Sequence, residues 1–344
     1  MPSFNSATKR PSRATSYDVA VEAGVAQSTV SRCFQKDSPI SPETRTHVLA
    51  VAARLNYRPN ALARSLIMGR SDVVGVIVTK YTLRYNPDVI FALGEALSAV
   101  GAKLLLITVD DDDAVHKTLD NVLDYPLDGL VCCAAVAPAD ITAFQQHGVP
   151  LVFFNRQVIA KGVDCVTTDN SGAAGIVAEA LYRAGHRRFL CIGGPANAPV
   201  SIARLHGFTQ KLHALGAHEA RQCHSNFSYE DGSAVLLAEM RRVSGAFDAV
   251  FCTNDELALG ALDACRFTLG LNVPDDISIV GFDDVPDAAR PPYRLTTVKQ
   301  ELLIMATEAV RLLASRLVSP GRRSHRINIP GVLVARQSAR LHTE

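Results

Sequence analysis

Two kinds of apolar spacing divide the chain near residue 70. Before that point, apolar residues such as Val19, Ala23 and Val30 recur at helical spacing in short segments separated by Gly24. Beyond it, runs that are apolar throughout, such as "VVGVIVT", alternate with amphipathic helical stretches. The first pattern predicts a small all-helical domain. The second predicts parallel strands that helices cover on both faces.

The second region holds too many strand–helix units for one comfortable sheet. The spacing predicts strands at 73–79, 103–109, 128–134, 150–154, 188–194, 249–253 and 277–283. Helices are predicted between them, for example at 87–100, 172–184, 230–243 and 255–269. We therefore predict two doubly wound lobes that divide near Thr168–Asn170. In such folds ligands bind at the carboxyl ends of strands, so the cleft between the lobes is the expected site.

The helical region fits a helix-turn-helix. Its first helix is predicted at Tyr17–Ala23, its turn at Gly24–Ala26 and its second helix at Gln27–Phe34. Gly24 suits the left-handed turn, and Ser41-Pro42 looks like the cap and first turn of a third helix.

The second helix presents an unusual polar face within "AQSTVSR". Gln27, Ser28 and Arg32 project from its N-terminal half, which is where a recognition helix contacts base edges in a major groove. Gln and Arg pair well with adenine and guanine edges, respectively. The alternative interpretation is a helical hairpin with a solvated polar face.

Charge distribution favours the nucleic-acid interpretation. The first 70 residues hold ten Lys and Arg against four Asp and Glu, a balance of +6, whereas the whole chain carries only +1. A basic head on a mildly acidic body is typical of a chain that meets a polyanion at one end. Residues 1–14 are predicted to be a basic disordered arm that adds phosphate attraction.

The stretch "YRPNALARSL" predicts a short helix from Asn60 to Leu66, with Pro59 at its start. It carries Arg64 and an exposed Leu66, a side chain suited to wedge between base steps of a minor groove. The alternative is a plain interdomain linker whose Leu66 rests on the next domain.

Together, the helix-turn-helix, "YRPNALARSL" and the two-lobed body resemble the LacI/GalR family of bacterial transcription regulators over about residues 15–340. The resemblance implies a homodimer on a near-palindromic operator, with paired hinge helices in the central minor groove. By position it assigns base reading to Gln27, Ser28 and Arg32, backbone or near-groove contacts to Tyr17, Thr29, Ser31 and Asn60, and the wedge to Leu66, beside Arg64. One departure is Ala26, where the family usually has a Ser that caps the recognition helix. The loss of that cap is expected to cost about 1 kcal/mol of local stability.

The implied fold class is an N-terminal all-α helix-turn-helix domain plus an α/β periplasmic-binding-protein-like core of two doubly wound parallel-sheet lobes. The predicted boundaries are an arm at 1–14, the helix-turn-helix at 15–57, a hinge helix or linker at 58–70 and an effector-binding and dimerisation core at 71–344. Within the core, lobe 1 is predicted at about 71–169 and 299–326, and lobe 2 at about 170–298 and 327–340.

The core resembles the family's sugar-binding regulatory core, and several residues fall on the family's effector positions. These are Asn155 and Arg156 in "FFNRQ", Arg204 in "ARLHGF", Phe227 in "SNFSYEDG", Asn254 in "CTNDELALG" and Asp283 in "GFDDVPDA". Two arginines from opposite lobes point to an acidic ligand such as a sugar acid. The plainer alternatives are a surface ion pair for Arg204 and a turn cap for Asp283. Asp88 departs from the family, which commonly has an aromatic residue there.

Other function classes find little support. "GGPANAP" lacks the Lys-Ser/Thr of a phosphate loop, neither Gly-x-Gly-x-x-Gly nor His-Glu-x-x-His occurs, and the side chains of "DDDD" cannot all face one ion. We therefore expect no catalysis, metal or cofactor. The N-terminus "MPSFNSATKRPSR" lacks an apolar segment, no run approaches 18 apolar residues and the eight cysteines are scattered, so we expect a cytoplasmic protein with reduced thiols. The competing hypotheses are a solute-binding or sensory module without DNA function and a doubly wound enzyme.

Overall fold

The computed structural model describes residues 14–35, 38–59, 70–111, 114–217, 220–242 and 247–341. The chain forms two compact units, residues 1–71 and 72–344. The predicted arm, apart from residue 14, and most of the predicted hinge, with Asn60, Arg64 and Leu66, lie outside the described residues.

The described residues of the first unit form three helices, α1 (Ser16–Ala23), α2 (Gln27–Cys33) and α3 (Pro42–Arg54). Helix α1 begins one residue earlier than predicted, because Thr15 and Asp18 form a capping box at its start. Gly24 has φ 65°, the left-handed conformation that the turn requires. Helix α2 ends at Cys33, one residue before the predicted Phe34.

Arg45 of α3 fastens α2 in place. The helices share a core of small and β-branched side chains that includes Val19, Val30 and Val48. Arg45 Nη1 donates to the carbonyls of Cys33 and Gln35 at 2.7 and 2.8 Å. The last carbonyls of a helix have no amide partner within the helix, so Arg45 supplies a donor at the end of α2. A cation at this end of α2 also complements the helix dipole. The hydrogen bonds from Arg45 and the shared core therefore fix the orientation of α2 relative to α3.

The second unit is an α/β body with two parallel sheets. In chain order its strands are β1 (Val73–Thr79), β2 (Lys103–Val109), β3 (Gly129–Cys132), β4 (Leu151–Phe154), β5 (Asp164–Thr168), β6 (Phe189–Gly193), β7 (Arg221–His224), β8 (Ala249–Cys252), β9 (Ser278–Val280), β10 (Thr297–Lys299), β11 (Arg326–Ile329) and β12 (Val332–Val334). Its α-helices are α4 (Lys80–Tyr85), α5 (Asp88–Ala99), α6 (Val115–Leu123), α7 (Pro138–Gln146), α8 (Asn170–Arg183), α9 (Pro199–Ala214), α10 (Tyr229–Arg242), α11 (Asp255–Asp263) and α12 (Leu302–Val318). Among the described ranges, no helix is long and apolar enough to cross a membrane.

The strand order assigns each sheet to one lobe. Lobe 1 has six parallel strands in the order β11-β5-β4-β3-β1-β2, and lobe 2 has four in the order β7-β6-β8-β9. Strands β10 and β12 form a separate antiparallel pair. The chain passes from the first sheet to lobe 2 after β5, returns between β10 and α12, and leaves again after β11. This architecture confirms the predicted fold class.

The last boundary between the lobes falls three residues beyond its approximate predicted position at 326/327, because β11 pairs with β5 in the first sheet from Arg326 through Ile329. The boundary therefore falls after Ile329. Strand β11 is an edge strand with alternating exposure, so it lacks the continuous apolar run that marks the inner strands.

A buried ionic cluster holds the edge of the lobe 1 sheet. The carboxylate of Asp164, fully buried at the start of β5, accepts from Arg316 of α12 and from Arg322 at 2.8–3.0 Å and from the His325 amide at 2.7 Å. Burial acts to raise the pKa of the Asp164 carboxyl, but these hydrogen bonds outweigh it and hold the pKa below its ordinary value. The cluster joins β5, α12 and the segment that leads into β11.

We predict that Asp164→Asn destabilises the second unit by about 3–5 kcal/mol, because it leaves the buried guanidinium of Arg316 and the half-buried one of Arg322 without this countercharge. Urea unfolding followed by circular dichroism measures the loss. Asp287→Asn, which removes an exposed pair with Arg290, is the control and should cost less than about 1 kcal/mol. The Asp164 contribution is present above the unfolded pKa of about 3.9 and is lost as pH falls through the lowered folded pKa. Equal losses in both variants would contradict this role.

Candidate nucleic-acid interface and ligand cleft

The polar face of α2 is the candidate nucleic-acid interface. Ser28 and Arg32 are exposed and lie one helical turn apart, while Gln27 is half-buried and its Nε2 donates to Ser16 Oγ at 3.1 Å. Tyr17 of α1 is 70% exposed, which is unusual for an aromatic side chain without a partner surface. The structure thus leaves these predicted DNA-contacting side chains accessible on the first unit.

The remaining side chains of α2 connect this face to the core. Val30 is fully buried, and the predicted backbone contacts Thr29 and Ser31 are half-buried on its flanks. Ala26 has the extended conformation of a cap residue (φ −68°, ψ 149°), yet it offers no side-chain hydrogen bond to the helix start. The first turn of α2 therefore has no side-chain cap, and the Thr29 amide bonds instead to the Ala26 carbonyl at 2.9 Å.

A cavity of about 600 Å³ lies between the two lobes of the second unit, a size usual for small-molecule sites. All six predicted effector residues line it: Asn155, Arg156, Arg204, Phe227, Asn254 and Asp283. Asn155 and Arg156 come from the loop after β4 in lobe 1, and the other four come from lobe 2.

Arg204 of α9 is a buried cation that lines this cleft. Its side chain is only 3% exposed, so the predicted alternative of a surface ion pair is wrong. The guanidinium donates to Asn170 Oδ1 at 2.7 Å and to the Thr253 carbonyl at 2.6 Å, contacts Asp283 Oδ1 at 3.1 Å and stacks 3.6 Å above the Phe282 ring. Burial lowers the pKa of Arg204, and the Asp283 charge opposes that shift. An arginine remains charged in such a site, so each of these acceptors matters.

Asp283 sits in a strained loop after β9. Its φ of 123° is a conformation that non-glycine residues rarely adopt, and such strain is characteristic of ligand sites. Its Oδ1 accepts from Gln300 Nε2 at 2.7 Å. Burial raises the pKa of Asp283, while the contact with Arg204 pulls it down. Its carboxylate is therefore oriented by groups from two separate segments.

Asn254 links the two lobes. Its Oδ1 caps α11 by accepting from the Leu257 amide, and its Nδ2 donates to the Tyr81 hydroxyl at 2.6 Å and to the Phe227 carbonyl at 3.0 Å. Tyr81 belongs to lobe 1, and burial together with the Asp283 charge raises its pKa. The amide of Asn254 thus positions a lobe 1 aromatic residue across the cleft.

Aromatic side chains form one wall of the cavity. The ring of Phe227 lies 6.0 Å from that of Tyr81, which in turn lies 4.8 Å from Tyr85. Phe227 has φ 69°, and its ring covers Gly194 so closely that a Cβ there would come within 2.1 Å of it. Position 194 therefore needs a glycine if the Phe227 ring is to keep this position.

Asn155 supplies an acceptor with no donor. Its backbone has φ 54°, which Asn tolerates, and its backbone N–H donates to the Val166 carbonyl at 2.8 Å. The side-chain Oδ1 is buried and, among the described residues, nothing donates to it. A buried acceptor left unmatched in this way is costly unless a ligand or water completes it.

Several cavity residues escaped the sequence analysis. Asn170, Tyr81 and Gln300 all line the cleft, and two of them directly follow points where the chain changes lobe. Asp255, beside Asn254, does not line the cavity. It accepts from Thr297 Oγ1 and the Val285 amide, and burial with the Asp283 charge raises its pKa to about 7.

Asp88, at the position where the family commonly has an aromatic residue, is not part of the cavity lining. Asp88 is the first residue of α5 and does not line the cavity, whereas Asn86 just before it does. The aromatic contribution to this side comes from Tyr81 of α4 instead.

Comparison with known proteins agrees with both units. Residues 15–60 match the family described as bacterial regulatory proteins, lacI family, and residues 178–339 match a periplasmic binding protein-like domain. The HTH-type transcriptional regulator CelR of Thermobifida fusca is 31% identical over 343 residues, covering 96% of this chain and 99% of that protein. The chain belongs to the LacI family.

Solved structures of LacI-family members show the same architecture. The CelR–cellobiose complex superposes with a TM-score of 0.71 at 28% identity, covering 95% of this chain and 100% of that chain. The lac repressor dimer bound to operator and the anti-inducer ONPF gives 0.82 at 26% identity, covering 95% and 99%. These relatives are transcriptional regulators, and this chain is a LacI-family transcription regulator.

We predict that Ala26→Ser stabilises the start of α2 by about 1 kcal/mol, because the hydroxyl would accept from a backbone amide of the first turn. Hydrogen exchange of the 27–33 amides in the full chain should slow by about fivefold where exchange requires local opening of α2. Ala50→Ser, at an exposed position inside α3, is the control and should give no such protection. Unchanged exchange in Ala26→Ser would show that another group already caps the helix.

Proposed function

We propose that a homodimer of this chain represses transcription from a near-palindromic operator in the cytoplasm, with one helix-turn-helix per half-site. Gln27, Ser28 and Arg32 would contact base edges, and Tyr17, Thr29 and Ser31 the backbone. The resemblance adds hinge helices in the minor groove, with Asn60, Arg64 and the Leu66 wedge. The observation that carries the proposal is one chain with both an exposed polar α2 face and a ligand cleft.

We also propose a ligand rich in hydroxyl groups. A sugar ring has hydroxyl groups that donate hydrogen bonds and an apolar CH face. The Asp283 carboxylate and the unmatched Asn155 Oδ1 can accept from such hydroxyls, and the Phe227 ring suits the CH face. The relative CelR was solved with cellobiose. A binding role, without catalysis or a cofactor, is the function that these groups support best.

The experiment is a selection of duplexes from a random-sequence library by the full-length protein, followed by gel-shift titration at fixed salt. We expect enrichment of a two-fold symmetric site that is bound at least about a thousandfold tighter than random duplex. Recovery of no preferred sequence would overturn the proposal and favour a solute-binding module.

We predict that Arg32→Ala relaxes base preference at one position of each half-site, at a cost of about 1–3 kcal/mol for the preferred duplex. Selection with the variant shows this as a position of lost information. Arg54→Ala is the control, since Arg54 is exposed on α3 and paired with Glu22, and it should leave the consensus unchanged. Uniform weakening on specific and random duplexes would instead make Arg32 a phosphate contact.

We predict that Asn155→Gly weakens the binding of sugars by about threefold to tenfold, the usual net worth of a neutral hydrogen bond. Glycine accepts the positive φ, so the loop is kept while the acceptor is removed. Calorimetric titration against aldoses and their disaccharides measures the effect. Asn155→Asp keeps an acceptor and should retain the affinity for neutral sugars. Full affinity in Asn155→Gly would exclude Asn155 from the ligand site.

A further inference from the structure

Five charged side chains line the cleft among the described residues, and three of them have a partner of opposite charge. Arg204 is engaged by Asp283, and at the rim the Asp110 carboxylate pairs with Lys80 at 2.5 Å. Asp111 accepts from the Ala114 amide at 2.9 Å. The two arginines of opposite lobes are therefore not equivalent, because the lobe 2 arginine already has its countercharge.

Arg156 is the cation that lines the cleft without a carboxylate partner among the described residues. It lines the cavity half-buried, and its guanidinium donates to the neighbouring Asn155 carbonyl at 3.2 Å. Among the described residues, no carboxylate lies within ion-pair distance of it. Cys133 also lines the cleft, and burial raises the pKa of its thiol to about 12. The Arg156 charge acts to lower that pKa. A cation thus faces the ligand space from lobe 1.

Resting on the proposed function, we infer that the effector is a hydroxyl-bearing carboxylate, a sugar acid, and that Arg156 selects it over neutral sugars. The acid group meets the Arg156 guanidinium, which forms charge-assisted and bidentate hydrogen bonds with carboxylates. The hydroxyl groups meet Asn155 Oδ1 next to it and Asp283 opposite. Adjacent residues of one loop then recognise the two chemical features of a sugar acid.

Charge balance favours a carboxylate over a phosphate ester. One guanidinium neutralises a single negative charge, whereas a phosphate monoester carries about −1.5 to −2 near pH 7. The surplus charge would lie in the same cavity as the exposed Asp111 carboxylate, where like charges repel. A single carboxylate matches the one charge of the Arg156 guanidinium.

The test is calorimetric titration and thermal stabilisation of the full-length protein with a paired panel. It contains D-glucuronate, D-galacturonate, D-gluconate and D-galactonate, the parent aldoses and the aldose 6-phosphates. We expect at least one acid to bind about tenfold or more tighter than its parent aldose and its phosphate. Arg156→Gln should remove that preference while changing affinity for the aldose less than threefold.

Arg84→Gln is the matched control. Arg84 is exposed on α4 over the ring of Tyr85 and does not line the cavity, so its loss should leave the preference for the acid intact. A similar loss there would mean that the overall charge of lobe 1, and not Arg156, attracts the acid.

Three other outcomes overturn the inference. Preferred binding of the aldoses would leave the proposed function standing with a neutral sugar as effector, and preferred binding of the phosphates would replace the carboxylate. If Arg156→Gln weakens acids and aldoses equally, the guanidinium acts on the protein and not on the ligand. A protein that binds no member of the panel would contradict both the inference and the proposed sugar class.

Discussion

The buried guanidinium of Arg204 is the constraint around which the effector cleft is built. A permanent cation taken out of water must find an acceptor for its N–H groups and a countercharge nearby. Asn170, Thr253 and Asp283 supply them from three different segments, and Phe282 covers the flat face of the group. Each of these segments is consequently fixed at the point where it meets the cavity.

The same residues connect the two lobes. Asn170 begins α8 directly after the chain leaves the first sheet, and Gln300, which donates to Asp283, also accepts from Thr168 at the end of β5. Asn254 reaches Tyr81 of lobe 1. A ligand that contacts both Asn155 and Asp283 would therefore bridge groups whose separation depends on how far the lobes close, which gives bound and free states different energies.

Much of the fold was predictable because local patterns agreed with tertiary packing. Strands β1 and β2 match their predicted bounds, since both lie in continuous apolar runs, and Gly24 and Ser41-Pro42 marked helix ends correctly. The edge strands β7 and β11 were missed or misassigned because β7 is largely exposed and β11 alternates in exposure, which leaves no apolar run to detect. In the site, Arg204 and Asp283 were recognisable, but their mutual neutralisation was not. It depends on contacts between residues 79 positions apart, just as the Asn254–Tyr81 bond spans 173 positions.

Coupling between cleft and operator requires that ligand and DNA change each other's affinity by the same factor. The selected operator is titrated into the full-length protein with and without a saturating sugar acid, and the sugar acid is titrated with and without operator. We predict equal factors of about 5–150 in the two experiments, of either sign. A ligand that occupies the cleft yet leaves operator affinity unchanged would show that the cleft does not control the repressor.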